Sequence, residues 1–100
     1  MSVRGEFDRH LDRCIEFLEA SGSDVAYVWA TRLLEARVIS RDDLDSAATR
    51  VLSFAAATPS IEAIEFASGA ATDAFREVCA PMLEISRAIT GIPAGRASDA

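Results

Sequence analysis

Lysine, asparagine and glutamine are all missing from these 100 residues, so each of the ten basic side chains is an arginine. With alanine abundant, that composition reads as GC-rich coding, hence a bacterial source, and carries little about function. Basic patches are scarce as well. The formal charge is −6, which argues against a nucleic-acid binder or an anionic-membrane binder, because both neutralise phosphates with clustered cations. No apolar run approaches the roughly 20 residues needed to cross a bilayer. The opening "MSVRGEFDRH" is too charged for a signal-peptide core, so the expected location is the cytoplasm. There, Cys14 and Cys79 are expected to be reduced and buried rather than bridged. Histidine, tryptophan and tyrosine occur once each. No phosphate-binding glycine loop, zinc-ribbon spacing or nucleophile elbow is present. The expectation is a protein without enzymatic activity and without a cofactor.

Half the residues are apolar and a quarter are charged, a balance suited to one globular domain with one core. Apolar residues recur with helical spacing along most of the chain, which predicts an all-α, four-helix domain with helices over about 5–20, 24–38, 41–57 and 59–90. Residues 1–90 form that domain in this reading, and 91–100, "GIPAGRASDA", form a flexible C-terminal tail. In the first helix Phe7, His10, Leu11, Cys14, Ile15, Phe17 and Leu18 share the apolar side. Asp8, Asp12 and Glu16 form a ridge of like charge at spacings of four. The second helix, "SDVAYVWATRLLEARVIS", is apolar over most of its circumference, which predicts a central position with Trp29 in the core. Arg37, on its apolar sector, is expected to pair with an acid of the next helix or to extend outward. The third opens at Ser40, with Asp43 at capping-box spacing and acids in the first turn.

For the fourth helix Thr58 is the expected cap and Pro59 the first residue. Ile61, Ile64, Ser68, Ala71, Phe75, Val78, Met82, Ile85 and Ile89 alternate in steps of three and four across both Gly69 and Pro81. This a/d pattern predicts one helix through both, kinked near Pro81; a break at Ala80–Pro81 is the alternative. At about 32 residues and 1.5 Å per residue it would span on the order of 48 Å. A compact chain of this length is only about 35 Å across. The overhang calls for a second copy of the chain, unless the kink folds the last turns onto the same core.

The expected function is therefore protein–protein association, of adaptor, immunity or inhibitor type. Ile64, Phe66, Ala71, Phe75, Val78, Met82 and Ile85 are the partner-binding candidates, in a homodimer built on the C-terminal helix. The acidic ridges would steer a basic protein as a further partner. The rival reading is a ligand- or metal-sensing domain using His10 with Cys14 and Cys79, since a spacing of four places His10 and Cys14 on one helix face. The hairpin "RLLEARVISRDDLDSAATRVL" has the outline of a DNA-binding helix pair. Its second helix, however, opens with aspartates where phosphate contacts would fall.

Overall fold

The structure, a computed structural model, describes residues 2–91. Four helices account for most of them: α1 (Val3–Ser21), α2 (Asp24–Ile39), α3 (Leu44–Ala56) and α4 (Gly69–Thr90). Among the described residues no strand is present. Helix α1 packs on α2 and α4, and α3 packs on α4 and α2, so the four close into a ring around one core. Phe7, Leu11, Leu18, Leu33, Val51, Ile61, Phe75 and Met82 are buried there. The expected tail over 91–100 lies, apart from Gly91, outside the described residues.

Each helix starts where a side chain can satisfy an orphan backbone N–H. The hydroxyls of Ser2, Ser23 and Ser68 accept from the amides of Gly5, Ala26 and Ala71, and the Asp43 carboxylate accepts from Ser46 N–H. Helices α1 and α4 end at Gly22 and Gly91, both left-handed with φ of 74° and 77°, a conformation glycine adopts without a Cβ clash.

Three expectations change. The fourth helix begins at Gly69, not at residue 59. Between α3 and α4 the chain instead carries a cis Thr58–Pro59 bond, a single 3₁₀ turn over Ile61–Ala63 and an extended stretch. Ile61 and Ile64 are buried from this connector. The a/d phase survived there because a 3₁₀ turn also brings residues three apart to one side. Ser68 serves as the cap, and the Thr72 hydroxyl accepts from Phe66 N–H at 2.9 Å, closing the connector onto the first turn. Helix α4 does run through Pro81. Cys79, Met82 and Leu83, on both sides of the proline, are buried, so packing holds the two halves together despite the lost backbone bond.

Second, the overhang disappears. Twenty-two residues span about 33 Å at 1.5 Å each, and the described residues measure 34 × 33 × 21 Å. Helix α4 therefore fits inside its own domain. Third, Ser40 does not open α3. It closes α2, its hydroxyl donates to Asp8 Oδ1 at 2.8 Å, and Asp43 takes over the capping role.

Candidate interaction face on the first two helices

Helix α2 is not central. Its inward residues are Ala26, Trp29, Ala30, Leu33 and Ala36, three of them alanines. Its larger aliphatic and aromatic side chains mostly face out: Tyr27 is 70% exposed, Val38 59%, Val25 57%, Val28 45% and Leu34 44%. Burial normally selects the opposite arrangement. Tyr27, Leu34 and Val38 follow one another at steps of seven and four, and Thr31 lies between them, so the four form a continuous stripe along one side of the helix. Thr31 bonds its hydroxyl to the Tyr27 carbonyl at 3.0 Å, so it adds little polarity to the stripe.

The stripe lies on the shoulder of α2 that adjoins α1. At one end Tyr27 lines a depression with Leu18, Glu19, Gly22, Ser23 and Asp24. At the other, Arg37 pairs not with an acid of the next helix but with the preceding one, because α1 packs alongside α2: it meets Asp8 at 3.1 Å and Asp12 at 3.0 Å. The bond to Asp12, aided by both carboxylates, holds the guanidinium further toward its charged form. Arg4 Nε donates to the Ser40 carbonyl at 2.9 Å, fastening the same end. The Asp8–Asp12–Glu16 ridge is thus divided: two of its acids share the single cation of Arg37, and Glu16 continues the row toward Glu19 on the exposed side. Glu16, Glu19, Asp24 and Glu35 have no ion pair among the described residues. The face is therefore apolar along its length, with unpaired acids beside Tyr27 and acids that share arginine beside Val38.

The residues expected to bind a partner have a different fate. Ile64, Phe75 and Met82 are buried in the chain's own core, so they are not free to form a seam with another chain. Val78 and Ile85 are half-buried against that core. Phe66 and Ala71 do come together, with Phe17, Ala20 and Ala67, around an apolar groove of ≈ 380 Å³. Phe66 packs edge-on against Phe17 at 5.4 Å and against Phe75 at 5.3 Å, so much of its surface is already used. Trp29 is buried as expected, against Phe54 at 5.6 Å and beneath the Arg32 guanidinium at 4.8 Å.

The His10, Cys14, Cys79 set is split. Cys14 and Cys79 are fully buried free thiols. Cys14 donates to the Val78 carbonyl at 3.5 Å. The neighbouring Cys14 thiol, then burial, push the Cys79 thiol well above its ordinary value, which opposes the thiolate a metal requires. His10 sits outside this pair, in a surface depression with Glu6, Pro81, Glu84, Ile85 and Ala88. Among the described residues no group of three or more His, Cys, Asp or Glu side chains is placed to hold a metal, and no helix is long and apolar enough to cross a membrane. No family model, curated protein or solved structure matches the chain.

The signal for the α2 face was present in the sequence as an excess of apolar residues around one helix. It pointed to a central helix because a helix packed on every side and a helix with an unpartnered outer stripe share that pattern.

Proposed function

We propose that this protein works by association with another protein, and that the contact is made by the α2 shoulder rather than by α4. The observation that carries the reading is the exposed stripe of Tyr27, Leu34 and Val38 beside inward alanines. Exposing three large apolar side chains in one row has no folding benefit. Covering them would recover on the order of 1 kcal/mol per side chain from desolvation, before the entropic cost of association. Such patches on small domains commonly mark contact surfaces. The seam on α4 draws no support, because its central residues already serve the core.

The test is site-specific photo-crosslinking in the source cell. A photoreactive residue at Leu34 or Val38 is expected to give a discrete adduct with another protein chain, and the same residue at Glu77, on the exposed side of α4, is expected to give none. Equal labelling at the three positions, or none at Leu34 and Val38, would remove the α2 shoulder as the contact surface.

A further inference from the structure

We infer that the occupant of the α2 shoulder is a basic amphipathic helix, laid along α2 with its arginines or lysines at the Tyr27 end. This rests on the association reading and adds the chemistry of the partner. The stripe is linear, and its apolar members recur at steps of seven and four, the spacing at which a second helix presents its own apolar residues. A helix is therefore the element whose side chains match the row.

Charge then selects among helices. Around the Tyr27 end stand Glu19 and Asp24, with Glu16 one turn before Glu19 on α1 and Glu35 further along α2, and none of the four has an ion pair among the described residues. Around the Val38 end the acids Asp8 and Asp12 are taken up by Arg37, and Arg4 and Arg41 are close by in the chain. A partner with cations at one end meets carboxylates there and a less acidic surface at the other, where Arg4, Arg37 and Arg41 stand among Asp8, Asp12, Asp42 and Asp43. The asymmetry fixes direction as well as affinity.

A second copy of this chain fits less well. Two acidic Tyr27 ends would be brought together in a parallel pair, and each chain carries −6 overall. An antiparallel pair would set Glu16 and Glu19 against the Val38 end of the other copy, where Arg37 is already shared by Asp8 and Asp12 and Arg4 is bonded to the Ser40 carbonyl, leaving Arg41 alone to meet them.

The experiment uses the full chain and three synthetic helical peptides of about 16 residues, matched to the length of α2 at 1.5 Å per residue. All three carry leucines at steps of four and three. One has its arginines clustered at one end, one has them spread along both flanks, and one has glutamates in their place. Binding is followed by fluorescence anisotropy at low and high salt, and its location by amide chemical-shift changes. Light scattering reports self-association. The expected result is that the end-clustered arginine peptide binds best, with shifts on α2 and the end of α1. Its affinity should fall with added salt, and fall about tenfold or more in Leu34→Arg, as expected where a central apolar contact is lost. The Glu16→Gln/Glu19→Gln double variant should fold normally and lose the preference for clustered over spread arginines.

Equal, salt-insensitive binding of the glutamate peptide at α2 would overturn the basic partner while leaving the shoulder a docking surface. A dimer that dissociates in Leu34→Arg would replace the proposed occupant with a second copy. Absence of both peptide binding and self-association would sink the association reading too.

Discussion

Substituting alanine at Gly22 and at Gly69 is expected to move stability in opposite directions. Gly22 holds φ of +74°, where a Cβ crowds the backbone, so Gly22→Ala costs about 1 kcal/mol. Gly69 is the first residue of α4, is not in the left-handed region, and has nothing within 4 Å of a built Cβ. There alanine restricts the unfolded chain without straining the folded one, and Gly69→Ala gains about 0.4–1 kcal/mol. Urea denaturation of both variants checks the pair. The single histidine gives a second test at this scale. Burial first, then the positive charges of Arg9 and Arg13, lower the His10 pKa below 6.5, against a smaller opposing effect of Glu6. The unfolded chain therefore takes up a proton before the folded one does. The stability associated with neutral His10 is present above 6.5 and declines as pH falls through the folded value. His10→Gln is expected to flatten that part of the stability–pH curve, measured at constant ionic strength.

At the scale of elements, the joint between α1 and α2 depends on one guanidinium serving two carboxylates. Its side chain is 32% exposed and that of Asp8 18%. Arg37→Met is expected to cost about 1–2 kcal/mol, since it leaves Asp8 and Asp12 facing each other with their shared charged partner gone. Arg37→Lys should retain part of this, lacking the fork that engages both acids. Thermal denaturation of the three proteins gives the ranking. Much of this level was legible beforehand: each of the four periodic segments yielded a helix, and α1 and α2 fell within about two residues of their expected bounds. The rest depended on tertiary choices that periodicity does not encode. Ser40 has the spacing of a cap but is drawn instead into the Asp8 contact, so α3 begins at Leu44 under Asp43. Ile61 and Ile64 hold the phase of α4 without being helical with it, which hid the boundary at Ser68. For the candidate face, Tyr27, Leu34 and Val38 were visible as apolar residues, but which side of α2 had neighbours was settled by packing alone.

At the scale of the molecule, Cys14 and Cys79 report on whether the ring of helices opens as a unit. They join α1 to α4 at the centre of the fold and are both fully buried. The neighbouring Cys14 thiol, then burial, raises the Cys79 pKa from 9.0, so the protonated Cys79 thiol is favoured by folding. That contribution is intact below 9.0 and is lost as pH rises beyond it, because the unfolded chain then releases protons that the folded chain retains. Near neutral pH the reaction of either thiol with a disulfide reagent, in which a thiolate attacks the reagent's disulfide sulfur and expels its leaving thiolate, therefore has to wait for exposure. With α1, α3 and α4 sharing one core, the expected route is global unfolding. Thiol labelling should then be slow in buffer, and its apparent free energy should fall with urea at the same slope as the equilibrium transition. Labelling that is fast and nearly independent of urea would mean that α4 separates from α1 while the rest stays folded. Gly69→Ala provides a check on the same measurement, since it should slow labelling in proportion to the stability it adds if opening is global.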